Sequence, residues 1–87
     1  MAEVEVYLGF LCGYCFAAKP LLRRKGVAFE DRNISLRPGL RMEMMNRAGG
    51  RHSVPQIFID GRHIGDCYEL LALNAAGTLD TLLGIGS

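Results

Sequence analysis

Apolar and polar residues alternate over residues 3–8, and the run is rich in β-branched and aromatic types, so it predicts a strand. From Gly13 the period changes. Phe16, Ala17, Pro20, Leu21 and Leu22 recur at helical spacing, with Lys19, Arg23, Arg24 and Lys25 on the other face. Gly26 supplies a helix stop, and Pro20 removes one backbone donor inside the helix, so a kink is expected there. Residues 27–34 predict a second strand. Pro38-Gly39 opens a second helix over residues 40–48, ended by Gly49-Gly50. Its Met42, Met44 and Met45 are expected to fill gaps in the core rather than to bind a metal. Gln56–Ile59 predicts a third strand, Asp60-Gly61 a two-residue hairpin, and residues 62–64 a short edge strand broken by Gly65. A third helix starts at Asp66 or Cys67 and reaches Ala76, with Leu70, Leu71 and Leu73 inward. Gly77 ends it, and residues 78–83 predict a short final helix.

The order is βαβ–α–ββ–α. Two strands joined by a helix imply a parallel pair with a right-handed crossover, and the hairpin adds an antiparallel pair. The expectation is an α/β domain: a four-stranded mixed sheet flanked by helices on both faces, the layout of the thioredoxin fold. Eighty-seven residues make one domain, near the lower limit for a core without a staple. A net charge of +1 gives no reason to expect a nucleic-acid partner. No apolar run approaches the roughly 20 residues of a membrane span. Met1-Ala2-Glu3 lacks the basic start and apolar stretch of a signal peptide. The reading is therefore a cytoplasmic protein, in which a disulfide is catalytic rather than structural.

Cys12-Gly13-Tyr14-Cys15 lies between the first strand and the first helix. A helix N-terminus offers partial positive charge and free N–H groups, which stabilise a thiolate and raise its reactivity at neutral pH. The spacing lets a second thiol reach the first sulfur, as reversible disulfide chemistry requires. With Cys67 the cysteine count is three, which argues against a pure disulfide framework. A structural zinc site usually needs four ligands, and no second Cys-x-x-Cys or paired-His spacing supplies them.

Three segments agree in order and spacing: Cys12-Gly13-Tyr14-Cys15, Ser53-Val54-Pro55-Gln56 before the third strand, and Gly65-Asp66-Cys67-Tyr68-Glu69-Leu70 opening the third helix. With the Val54–Asp60 run and His63-Ile64-Gly65, they resemble glutaredoxins of the small bacterial dithiol type over nearly the whole chain. The resemblance implies glutathione as co-substrate. Cys12 is then the attacking thiolate and Cys15 the buried resolving thiol. Tyr14 presents a ring beside the reactive sulfur, for packing or for contact. Pro55 matches the family's cis-proline, so that Val54 offers its N–H and C=O to the cysteinyl unit of glutathione. The N–H groups of Cys67 and Tyr68 match those that bind the γ-glutamyl carboxylate. Arg41 falls where the family contacts the glycine carboxylate. Cys67 itself is read as a buried structural thiol, the alternative being an oxidisable regulatory one.

The chain departs from the family pattern at several positions. Gly9 stands where a lysine is common, and Leu11 stands in place of threonine. Asp66 replaces the second glycine of Gly-Gly; it is read as the cap of the third helix, the alternative being a charge that repels glutathione. Tyr68 replaces an acidic residue that would meet the glutathione amino group, a role Glu69 is placed to take over. One extra residue falls in the segment 49–53. Gly13 replaces the usual proline between the cysteines.

The resemblance implies an oxidoreductase that reduces protein–glutathione mixed disulfides and small disulfides, acting as a monomer on glutathione and disulfide-bearing proteins, with no membrane partner. Two other readings compete. Glycine at position 13 resembles family members that hold a [2Fe–2S] cluster between two monomers, with Cys12 of each chain and two glutathione thiolates as ligands. The third is a thioredoxin-like reductase served by a flavoprotein, which the absence of lysine at position 9 favours and the Tyr14, Val-Pro-Gln and Gly-Asp-Cys segments disfavour.

Overall fold

The computed structural model of the chain describes residues 2–10 and 15–85, and for Cys15 and Phe16 the backbone alone. The elements are β1 (Val4–Leu8), α1 (Cys15–Arg24), β2 (Phe29–Asn33), α2 (Pro38–Arg47), β3 (Gln56–Ile59), β4 (Arg62–Gly65), α3 (Cys67–Ala75) and α4 (Thr78–Leu83). The sheet order is β2-β1-β3-β4. β1 pairs parallel with β2 and antiparallel with β3, and β3 pairs antiparallel with β4. This is the four-stranded mixed sheet that the α/β reading expected. The Asp60-Gly61 turn has positive φ at both residues (52° and 78°), the geometry a tight hairpin needs and the reason Gly serves there.

β1 and β3 are buried on both faces, and the period of two along a strand sorts their side chains. Val4, Val6, Ile57 and Ile59 meet Ala18, Leu21 and Leu22 of α1, Leu70 of α3, and Leu79 and Leu83 of α4. Tyr7 and Phe58 point the other way and pack with Ile34, Met44 and Ala48 beneath α2. Burying one such aliphatic side chain contributes about 1.5–3 kcal/mol. Helices thus cover both faces of the sheet.

Several boundaries and faces differ from the sequence expectation. α2 starts at Pro38, because a proline at the first helical position has no N–H to lose and a φ already suited to the helix. β2 is shorter than residues 27–34: the Val27 N–H bonds back to Leu22 O at 3.3 Å, closing the end of α1. α1 runs through Pro20 to Arg24, with the proline inside the helix as expected. Its inward stripe is Ala18, Leu21 and Leu22, whereas Ala17 and Pro20, expected inward, are exposed, being turned about 100° or more from that stripe. Lys25, expected on the polar face, reaches Asp80 of α4 at 2.7 Å. Met44 is fully buried but Met42, about 200° away around the helix, is exposed. Leu70 is buried while its neighbour Leu71 is exposed, and Leu73 packs at the edge of the core.

The α2 face carries a charged centre. Glu5, on β1, accepts from both guanidinium nitrogens of Arg47 at 2.9 and 3.0 Å and lies 3.1 Å from Arg32 of β2. Arg47 also donates to the Tyr7 hydroxyl at 2.7 Å and stacks 4.1 Å above the Phe58 ring. The Tyr7 hydroxyl in turn donates to Glu43 at 2.9 Å. The Arg47 guanidinium holds the Glu5 carboxyl below the usual carboxylate range, against an opposing effect of burial. A carboxylate whose pKa is depressed on folding stabilises the fold above its ordinary pKa, and that contribution disappears as pH falls through the lowered one. Glu5→Gln is therefore expected to lower stability at neutral pH by about 1–3 kcal/mol. Its stability should also fall less steeply than the parent's below the ordinary Glu pKa of 4.5, as read by denaturant titrations across pH.

Candidate active site

Among the described residues, two hollows share one lining residue, Val54. The first, of about 280 Å³, lies at the N-terminus of α3 and is lined by Ser53, Val54, Pro55, Asp66, Cys67 and Tyr68. The second, of about 580 Å³, lies between the end of β1 and α2 and is lined by Gly9, Phe10, Ile34, Ser35, Leu36, Arg41 and Val54. Of the residues singled out from sequence, the structure therefore brings Val54, Pro55, Cys67 and Tyr68 together and sets Arg41 on the far side of Val54. Cys12, Gly13 and Tyr14 lie outside the described residues, as does the Cys15 side chain; the backbone of Cys15 is the first residue of α1.

Val54 and Pro55 are joined by a cis peptide bond. The loop ahead of them is held from below by a buried side chain. Gln56 is fully buried in a strand otherwise apolar, where an unpartnered amide would be costly. Its amide nitrogen donates to Ser53 O at 3.1 Å and Ser53 Oγ at 3.3 Å. Its oxygen lies 2.6 Å from His63 Nε2, which must donate to it. Burial holds the His63 pKa below its ordinary value, and the Arg51 charge adds to this. The His63 ring also packs on Phe58 at 5.1 Å.

Asp66 is the N-cap of α3. Its carboxylate accepts from Glu69 N–H at 3.0 Å while Glu69 accepts from Asp66 N–H at 3.1 Å, a complete capping box. The cap reading of Asp66 thus matches the geometry. Arg51, to which the sequence reading assigned no role, reaches both carboxylates, Glu69 at 2.6 Å and Asp66 at 3.3 Å. The Arg51 hydrogen bond is the main reason the Glu69 carboxyl sits below its usual range. Glu69 is thereby engaged by Asp66 and Arg51. The N–H groups of Cys67 and Tyr68 belong to the first turn of α3 and have no partner within the helix.

Gly65 is held at φ 124°, a conformation that favours glycine, and a Cβ there would also displace the Glu69 carboxylate from the capping box. Cys67 is buried, and burial followed by the neighbouring Asp66 charge pushes its thiol pKa up. Both effects disfavour the reactive thiolate. Tyr68 is 80% exposed and stands at the mouth of the first hollow.

The second hollow has an unusual rim. The Phe10 N–H donates to Ser35 Oγ at 3.0 Å, and the Ser35 N–H to Asn33 Oδ1 at 2.8 Å, which ties the turn after β2 to the end of β1. Leu36 in that turn has φ 62°. For a residue with a Cβ the left-handed region costs about 1–2 kcal/mol. Neither Phe10 nor Leu36 belongs to a periodic run, so the hydrophobic pattern singles out neither.

Asp66→Ala is expected to lower stability by about 1 kcal/mol through loss of the cap. In a domain of this size that is a fall in Tm of about 4–8 °C by calorimetry. Cys67 is expected to resist alkylation at neutral pH in the folded protein and to react on unfolding, read by mass spectrometry.

The comparisons with known proteins agree with this geometry. The glutaredoxin family model matches residues 4–64. Glutaredoxin 3 of Escherichia coli (strain K12) is 52% identical over 83 residues, covering 95% of this chain and 99% of that protein. The solution structure of glutaredoxin from Brucella melitensis matches with a TM-score of 0.83 at 46% identity, covering 100% of this chain and 94% of that one. A buckwheat glutaredoxin, crystallised as a complex with glutathione, shares the fold at a TM-score of 0.85 and 24% identity, over 95% of this chain and 77% of that one. No helix among the described residues is long and apolar enough to cross a membrane. The family model and the identity over nearly the full length establish that this chain belongs to the glutaredoxin family of thiol–disulfide oxidoreductases.

Proposed function

We propose that the protein reduces protein–glutathione mixed disulfides and small disulfides, with glutathione as electron donor and Cys12 as the nucleophile. The observation that carries this reading is the pair of hollows sharing Val54 as a common wall. A γ-glutamyl-cysteinyl-glycine chain is extended and carries a carboxylate at each end. In the first hollow, the N–H groups of Cys67 and Tyr68 at the α3 N-terminus suit the γ-glutamyl carboxylate. Arg51 offsets the charges of Asp66 and Glu69 beside it. In the second hollow, Arg41 suits the glycine carboxylate. Val54 stands between them, just ahead of β3, where its N–H and C=O suit strand-like pairing with the cysteinyl unit.

The chemistry follows from the thiolate. Cys12 attacks the glutathione sulfur of a mixed disulfide; the substrate sulfur leaves as thiolate and takes up a proton. The resulting Cys12–glutathione disulfide is attacked by a second glutathione thiolate, which releases oxidised glutathione and regenerates Cys12. With a protein disulfide, Cys15 displaces the substrate instead and forms a Cys12–Cys15 disulfide. The α3 and α1 N-termini favour the anionic partners in each step.

Turnover of a glutathionylated peptide with glutathione is expected to vanish in Cys12→Ser and persist in Cys15→Ser. Arg41→Ala is expected to raise the KM for glutathione about tenfold, equivalent to about 1.4 kcal/mol, with kcat little changed. Absence of turnover in the parent chain would overturn the glutathione reading.

A further inference from the structure

We propose that Phe10 and Leu36 form a docking rim for acidic, extended polypeptide segments, and that this rim selects the protein disulfides the enzyme reduces. The inference rests on the reading of the groove given above and names the substrate class of its dithiol route.

Leu36 departs from ordinary folding preferences twice. It is 92% exposed, so the fold gains no burial from a large apolar side chain. It also holds φ 62°, a region that favours glycine or asparagine. Strain that gains the fold nothing points to a role at the surface. Phe10, 67% exposed, stands beside it on the same hollow. The bond from Phe10 N–H to Ser35 Oγ ties the backbone at Phe10 to the turn that carries Leu36, which sets both residues on the same hollow. Below it lie Val54, the edge suited to strand-like pairing, and Arg41.

Charge decides the occupant. Arg37, the N-cap of α2, and Arg41 stand one turn apart, joined by the Arg41 N–H to Arg37 O bond at 3.0 Å. Among the described residues neither forms an ion pair, whereas Arg32, Arg47 and Arg51 all do. A second copy of this chain would bring like charges together on this face, which disfavours self-association. A segment with an apolar side chain for Phe10 and Leu36 and a carboxylate for the two arginines fits. Such a segment takes the place of glutathione, its carboxylate meeting Arg41 as the glycine carboxylate does. Cys12 then attacks the polypeptide disulfide. One substrate sulfur leaves as thiolate, Cys15 displaces the second, and both substrate sulfurs end as thiols while Cys12–Cys15 becomes the disulfide. Two glutathione molecules restore the enzyme.

The test titrates isotope-labelled protein by NMR with two peptides of equal length, in which serine replaces cysteine so that binding is read without chemistry. One carries Leu and Asp beside the serine, the other Ser and Lys. The acidic apolar peptide is expected to bind the parent at least about tenfold tighter, with shifts at Phe10, Leu36 and Arg41 that weaken as salt is raised. Leu36→Gly and Phe10→Ser should each reduce that preference at least about fivefold. Leu36→Gly should keep or raise Tm, since the strain is removed, which separates a lost contact from a damaged fold. Equal binding of the two peptides, or a preference unchanged in both variants, would overturn the proposal. Turnover of a small glutathione mixed disulfide by the parent chain, measured alongside, reports on the glutathione reading separately: its absence would overturn that reading, while the peptide binding still decides the rim.

Discussion

The neutralisation of Glu5 is the constraint on which one side of the molecule depends. A carboxylate on the central strand, facing a helix, must be paired or it would not be tolerated. Arg47 meets it from α2 and Arg32 from β2, and Arg47 adds a bond to Tyr7 and a stack on Phe58. One guanidinium thus docks α2 on three side chains of the sheet face, Glu5, Tyr7 and Phe58. The orientation of the rest of α2 follows, with Met44 inward and Arg41 turned to the hollow beside Val54. The turn carrying Leu36 is set between this helix and the end of β1.

Two polar networks brace the other parts of the groove. Gln56 and His63 hold Ser53 from beneath, and Arg51 joins the same loop to the capping box of α3. Both networks end on the segment that precedes Val54. A groove meant to hold an extended ligand by main-chain contacts needs a fixed edge rather than many contacting side chains. The networks also explain how an acidic residue at the α3 N-terminus is compatible with anion binding. The Asp66 carboxylate is directed to Glu69 N–H, while the N–H groups of Cys67 and Tyr68 lack helix partners.

Much of this was legible in the chain because its causes are local. Asp60-Gly61 specifies a hairpin, Pro38-Gly39 opens a helix, and Asp66 reads as the cap of another. The helix faces were harder. Ala17 against Ala18, and Leu70 against Leu71, are chemically equivalent pairs, and only the docking direction of the helix chooses between them. The polar cluster around Glu5 was not legible either, since its members come from β1, β2 and α2. Nor was the part played by Arg51, which depends on the distance between a loop and a helix end far apart in sequence.

The sequence alone determined the order of elements, the sheet pattern and the family, since periodicity, turn chemistry and motif spacing are properties of neighbouring residues. Tertiary structure decided which residues share a surface. It joined the cis-proline loop, the α3 N-terminus and Arg41 around Val54, and it set Phe10 beside Leu36. Those contacts arise because two helical layers and one sheet must close on a common core, and that closure brings together side chains that no local pattern relates.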